Sequence, residues 1–301
     1  MSRLIQGDAL SVLQDLEDLT VDLVICDPPY FKTINQTWDY QWRTEQDYIN
    51  WVEQWVRIIA SKLRYGGSMY LFGYFRTLCK LVPIFENFGF ELRQQIVLNK
   101  GMKSVAGRAT KNYRMFPNVT ESCLFFVKDP HVFTQKLLLD AKKKKGISAK
   151  DINEALGVKA NGGGMWSIYT GRNICKQVPT EDLWDKLCAI LDVDVKYSSI
   201  AQTYTPILGL TDVWDDIDFY EKPRYHPTQK PIKLIERLVL ASSRCGDTVL
   251  DPFMGGGTTG VVCRTLDRNF IGIEKDEEYF NICQGRLNSL QLKLGNKLAM
   301  C

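Results

Sequence analysis

The chain has 301 residues, 45% hydrophobic and 24% charged, with a net charge of +3. That size buries one large core, with or without a smaller second domain, and so small a charge does not by itself mark a nucleic-acid binder. There is no apolar run of membrane-spanning length, no signal-peptide core and no Cys-x-x-Cys pair among nine scattered cysteines. A cytoplasmic protein with reduced thiols, no bound metal and no membrane contact is therefore expected.

Residues 1–98 alternate strands with helices. Leu4 and Ile5 form a short strand, and Ala9–Leu16 a turn or two of helix. Val21–Cys26 (Val-Asp-Leu-Val-Ile-Cys) is an apolar strand, as in a parallel sheet covered on both faces. Directly after it stands Asp27-Pro28-Pro29-Tyr30, at the carboxyl end of a strand, where open α/β sheets place their ligands. Two prolines stiffen the turn and remove two N–H donors. A carboxylate, exposed carbonyls and an aromatic plane remain, which suits a flat group bearing an NH2, such as an extruded base. Alone, the four residues would equally suit a rigid surface turn. Tyr48–Leu63 carries a helical stripe of Ile49, Val52, Trp55, Val56, Ile59 and Leu63; Gly66-Gly67 is expected to end it, before a strand over Ser68–Phe72.

Residues 99–220 lose this alternation. Between Glu91 and Glu121 there is no acid, while Arg93, Lys100, Lys103, Arg108, Lys111 and Arg114 all fall there. A basic stretch interleaved with Tyr113 and Phe116 reads as a phosphate contact, or else as a solvated loop. Val119–Val127 is strand-like and belongs with the main sheet. Lys142–Lys145 precede a segment, Ser148–Val158, with the flavour of a helix-turn-helix, but the glycines at 162–164 interrupt the second helix. Trp166, Tyr169 and Arg172 are either core or base contacts, with core favoured for Trp166. Thr180–Leu191 reads as a capped helix with Glu181 and Asp182 in its first turn.

From 221 the α/β grammar returns: a helix over Pro231–Ala241, a strand over Asp247–Leu250, a helix over Thr259–Leu266, a strand over Asn269–Ile273 and a closing helix over Asp276–Leu292. Between the first of these strands and its helix lies Asp251-Pro-Phe-Met-Gly-Gly-Gly257. Its glycines let backbone approach a ligand, and the helix N-terminus points N–H groups at it. Gly255-x-Gly257-x-x-Gly260, with Glu274 after the next strand, also fits a dinucleotide fingerprint. Only 41 residues follow Gly260, too few for the rest of such a domain.

Together these elements resemble the β-class amino-methyltransferases of DNA, in which the acidic-Pro-Pro-Tyr turn precedes a variable region and then the cofactor turn. Three more segments match: Ile5-Gln-Gly-Asp-Ala-Leu10, His226-Pro-Thr-Gln-Lys-Pro231 and Phe270-Ile-Gly-Ile-Glu274. The likeness spans about 170 residues in the two outer stretches and leaves the middle uncovered. It implies a Rossmann-like α/β sheet in circularly permuted motif order, with a catalytic half at 1–98, a target-recognition region at 99–220 and a cofactor-binding half at 221–301.

The resemblance further implies S-adenosylmethionine as cofactor, double-stranded DNA as substrate and, in a restriction-modification system, a cognate endonuclease as partner. Asp27 and the Pro28 carbonyl, held by Pro29, would accept from the target amine, and Tyr30 would stack on the flipped base. Asp8, Ala9, Asp251, Phe253, Gly255, Gly257 and Glu274 would form the cofactor site, with Thr228 and Lys230 near its methionine end. Lys100, Lys103, Arg108, Lys111, Arg114, Lys159 and Arg172 would touch DNA. Asp27, where N4-cytosine enzymes usually carry serine, favours N6 of adenine. No Pro-Cys pair is present, which argues against cytosine-C5 chemistry. A nicotinamide enzyme and a non-catalytic DNA-binding module are the rivals from other classes.

Overall fold

The computed structural model describes residues 2–32, 40–105, 116–158, 164–171 and 177–298. The chain divides into two compact units, one of residues 1–63, 68–127 and 203–301, the other of residues 64–67 and 128–202. The second unit is thus narrower than the 99–220 region marked out by composition.

The strands are β1 (Ser2–Gln6), β2 (Val21–Cys26), β3 (Leu63–Gly73), β4 (Phe90–Asn99), β5 (Thr120–Lys128), β6 (Val213–Trp214), β7 (Thr248–Asp251) and β8 (Asn269–Glu274). They form one sheet in the order β1-β8-β7-β2-β3-β5-β4-β6. β1/β8, β8/β7, β7/β2, β2/β3 and β4/β6 are parallel, while β3/β5 is antiparallel. The strand expected at Val119–Val127 is β5, in the main sheet.

The first unit's helices are α1 (Ala9–Gln14), α2 (Glu45–Lys62), α3 (Phe75–Asn87), α8 (Ile232–Ser242), α9 (Thr258–Thr265) and α10 (Glu277–Leu298), and the second's are α4 (His131–Lys145), α5 (Ala149–Ala155), α6 (Gly164–Tyr169) and α7 (Glu181–Leu191). Side chains alternate across the sheet. Leu23, Ile25, Tyr70 and Phe72 enter a core with Leu234, Leu238 and Val262 from α8 and α9. Val24, Cys26, Met69 and Leu71 enter another with Leu13, Val52, Trp55, Val56 and Phe85 from α1, α2 and α3. Both faces being covered is why β2 can be apolar from Leu23 to Cys26. Among the described residues, no helix is long and apolar enough to cross a membrane.

Two local expectations need correction. The strand after α2 does not wait for Gly66-Gly67 but begins at Leu63, whose backbone (φ −71°, ψ 131°) leaves the helix at once. Gly66 is needed for a different reason. Its φ is +72°, and a Cβ there would run into the carbonyl oxygens of Ile200 and Ala201. At α7, Thr180 stands at the N-cap, but its side chain makes no capping hydrogen bond.

The second unit has its own core, with Leu138, Ile152, Trp166, Tyr169, Trp184 and Leu187 buried together, so Trp166 and Tyr169 are packing residues. Buried Asn153 accepts the Trp166 N–H at 3.0 Å, and the Trp184 indole donates to the Val195 carbonyl at 2.7 Å.

Candidate active site

Four neighbouring parallel strands carry acids at or just beyond their carboxyl ends. Asp8 follows β1, Glu274 ends β8, Asp251 ends β7 and Asp27 follows β2. All four line one cavity of about 980 Å³.

Glu274 and Asp251 hold the glycine-rich turn. Glu274 Oε2 accepts the Gly255 N–H at 2.8 Å, and Oε1 accepts the Asp276 N–H at 2.8 Å. Asp251 accepts from the Thr259 hydroxyl at 2.6 Å and the Phe253 N–H at 3.1 Å; burial pushes its carboxyl up to about 7. Gly257, with φ +75°, is the N-cap of α9, and a Cβ there would strike Cys283 Sγ. Phe253 lies against Trp51 and Trp55, with ring centroids 5.6 and 5.8 Å away. Asp8 caps α1 by accepting the Leu10 N–H at 3.0 Å, and its other oxygen meets Lys275 at 3.3 Å. Ala9 is buried packing beneath it.

The Asp-Pro-Pro-Tyr turn is built differently from its neighbours. Lys230 Nζ donates to Asp27 Oδ2 at 2.6 Å, and the Tyr30 hydroxyl reaches Asp27 Oδ1 at 2.8 Å. Pro28 is buried beside them. The Tyr30 hydroxyl also lies 2.7 Å from Glu121 Oε1, and its ring meets Tyr74 edge-on at 5.6 Å. Lys230, expected among the cofactor contacts, instead pairs with Asp27 and, at 3.1 Å, with Glu121. Burial opposes its charge, but the two carboxylates outweigh burial and hold the ammonium protonated. Burial likewise raises Asp27 above the usual carboxylate range, with Lys230 pulling the other way. Thr228 sits beside this cluster with its hydroxyl 3.0 Å from His226 Nδ1; burial and then Lys230 depress that imidazole to about 4, so it is neutral at physiological pH.

Sequence reasoning missed Glu121. It is 3% exposed on β5, and the available signal was an acid just before the apolar run Cys123–Val127 of a strand. Beside Tyr30 and Lys230 its third partner is Lys100, at 3.0 Å, so Lys100 lines the cavity. Lys103 is exposed. Arg108, Lys111, Arg114, Lys159 and Arg172 lie outside the described residues.

Residues 21–285 match the DNA methylase family model, one of N6 and N4 amino-methyltransferases. The chain belongs to that family.

This methylase is similar to the type II methyltransferase M.HpaI of Haemophilus parainfluenzae, with 27% identity over 298 residues, 95% of this chain and 74% of that protein. Its fold is shared by M1.HpyAVI, crystallised as a SAM complex (22% identity, TM-score 0.58, covering 96% of this chain and 100% of that one). It is also shared by the cytosine-N4-specific PvuII DNA methyltransferase (16% identity, TM-score 0.58, 95% and 86% covered). The Rossmann-like methyltransferase sheet expected from the sequence is therefore the fold of this methylase, and the nicotinamide reading falls. The geometry agrees. A pyrophosphate would need the Gly255 N–H, which Glu274 already holds, and would face the Asp251 and Glu274 carboxyls.

Proposed function

We propose that this methylase transfers a methyl group from S-adenosylmethionine to the N6 amino group of adenine at a specific site in double-stranded DNA, after the base has left the helix. The observation that carries this reading is Asp27. It stands at the carboxyl end of β2, in the cavity shared with Asp8, Phe253 and Glu274, with both oxygens aimed at donors.

The residues present fit the cofactor. Asp8 and Glu274 are carboxylates on adjacent strands, and each retains lone pairs beyond the bonds described, enough to receive hydroxyl and amino donors. Phe253 offers an aromatic face, and an acid-lined cavity suits a cation better than a phosphate. S-adenosylmethionine supplies an already activated methyl group on a positive sulfonium. The chain's own task is to orient and to stabilise. Asp27 and the Pro28 carbonyl accept the two amine N–H bonds, which favours a pyramidal nitrogen with its lone pair directed at the incoming carbon. Tyr30 and Tyr74 offer rings to the extruded base. Orientation and a fixed negative partner for the charge growing on nitrogen supply most of the rate gain.

The fold does not separate adenine from cytosine, since the PvuII enzyme shares it. Asp27 in place of serine favours adenine. The second unit is assigned to base reading and the basic residues Lys103, Arg108, Lys111 and Arg114 to phosphates. Lys159 and Arg172 go with the base-reading part. Acting on DNA in the cytoplasm, the protein would have a cognate restriction endonuclease as its partner in a type II system. The test is to label duplex DNA with tritiated S-adenosylmethionine and separate the nucleosides. N6-methyldeoxyadenosine is expected. N4-methyldeoxycytidine overturns the choice of base, and no label at all overturns the transfer reaction.

A further inference from the structure

In this structure, the charge of Asp27 is already committed. Oδ2 holds Lys230 at 2.6 Å and Oδ1 holds Tyr30 at 2.8 Å. An ammonium at that distance would repel the positive charge that grows on a target amine as it is methylated. For Asp27 to serve that amine, Lys230 must be held elsewhere.

Both donors have a second acceptor within reach. Glu121 Oε1 is 2.7 Å from the Tyr30 hydroxyl and 3.1 Å from Lys230 Nζ. Its Oε2 is anchored by Lys100 at 3.0 Å. A buried carboxylate is costly unless it is paired, and Glu121 has more partners than its own burial requires. Shifting Lys230 and Tyr30 onto it keeps Glu121 and both lysines paired and frees Asp27 to meet the positive charge that grows on the amine. Lys230 would rest on Oε1 and Lys100 on Oε2, and Asp27 would face the amine.

We propose that Glu121 is a positioning residue for methyl transfer, taking over Lys230 and the Tyr30 hydroxyl when the target amine replaces them on Asp27. The inference rests on the reading of Asp27 as the amine's acceptor. Burial opposes the charge of Glu121, yet Lys230 and Lys100 outweigh it and hold the carboxyl below its usual range, so an anion is ready to receive the ammonium. The exchange moves hydrogen bonds only and requires no covalent step.

The test uses the full chain and a duplex carrying the site mapped by sequencing methylated DNA. Glu121→Gln keeps the size of the side chain and removes its charge. In that variant kcat should fall about tenfold or more, the loss expected when one charge-assisted exchange is blocked. The S-adenosylmethionine Kd, read by tryptophan quenching, should stay within about twofold of wild type. The preference in DNA affinity for adenine over unsubstituted purine at the target position should shrink. Glu121→Asp, which keeps the charge one carbon shorter, should recover part of kcat.

A Glu121→Gln enzyme with wild-type kcat overturns the proposal, as does an equal loss in cofactor affinity, which would make Glu121 a wall of the cavity only. Should Glu121→Gln fail to fold, Glu121→Asp decides. A severalfold lower kcat at unchanged cofactor affinity is expected, and wild-type kcat overturns. A wild-type chain that methylates no DNA overturns the parent reading of Asp27, whereas an active wild type beside an unaffected Glu121→Gln overturns only the role of Glu121.

Discussion

Replacing Asp27 with alanine separates what the residue does for the fold from what it does for the reaction. In the fold it accepts from Lys230 at 2.6 Å and from Tyr30 at 2.8 Å. Each such charge-assisted bond is worth about 1.5–3 kcal/mol where its loss strands a partner. Neither partner is stranded here, because Glu121 lies 3.1 Å from Lys230 and 2.7 Å from Tyr30. Removing a mostly buried carboxylate also relieves its desolvation, so the net loss should be only about 1–3 kcal/mol. A domain stable by about 5–15 kcal/mol stays folded through that, with its melting temperature down by a few degrees. The reaction has no such reserve. Losing one preorganised partner of a developing charge costs about a hundred- to a thousandfold in kcat. Single-turnover transfer of tritiated methyl, run beside thermal melting and a cofactor titration, measures both quantities. Wild-type turnover in Asp27→Ala would refute the reasoning. So would a turnover loss no larger than the unfolded fraction explains.

Phe253→Ala should weaken S-adenosylmethionine binding more than DNA binding, because its ring bridges the Trp51–Trp55 packing and the cavity; equal losses in both titrations would contradict this. Gly257→Ala forces a side chain into φ +75° and against Cys283, costing about 2–4 kcal/mol in strain and overpacking, read as a lower denaturation midpoint. For Asp251, the folded carboxyl keeps its proton up to about pH 7 whereas the unfolded one loses it near 3.8, so its contribution to stability falls as pH rises from 3.8 to 7 and is flat above. The difference in melting temperature between wild type and Asp251→Asn should therefore change across that window, and a constant difference would count against the shift. Neutralising Lys103, Arg108 and Lys111 together should weaken binding to all DNA alike and flatten its salt dependence without moving the methylated site; an unchanged salt slope would place the phosphate footprint elsewhere.

The parts of the fold that were legible in the sequence are those written in local pattern. β2 announces itself by the apolar run Leu23–Cys26, α2 by its stripe, and the turn after β7 by three consecutive glycines. Asp27 was legible because strand, prolines and tyrosine follow one another directly. Glu121 and the partner of Lys230 were not, because they depend on contacts between distant residues. Lys230 meets Asp27 across 203 residues, and Tyr30 meets Glu121 across 91. No local period encodes such pairs. The pairing of Lys100 with Glu121 was hidden for the same reason. A count of basic residues places it on a charged loop, and only the pairing of the sheet turns it toward Glu121. The bend at Gly66 was read as a helix stop because glycine pairs usually are stops, whereas here the close approach of the 200–201 backbone demands it.

The sheet order also explains why motif order along the chain matters so little. β1, β8, β7 and β2 are neighbours and run parallel, so their carboxyl ends share one edge although they come from opposite ends of the chain. The chain could begin at another point in this cycle and deliver the same row of Asp8, Glu274, Asp251 and Asp27. That row has an electrostatic consequence. A row of carboxyl groups is a poorer seat for phosphates than for a cation, so on the proposed reading basic residues outside the row would hold the DNA backbone. On the same reading a neutral base, swung out of the helix, would be the part of DNA that meets this edge, and a cationic methyl donor the small molecule that suits it. Lys230 and Lys100 pair with Asp27 and Glu121 at the β2 end, and Lys275 meets Asp8 at the β1 end. On the proposed reading the end by β2, where Asp27 and Glu121 are balanced by lysines, would receive the base.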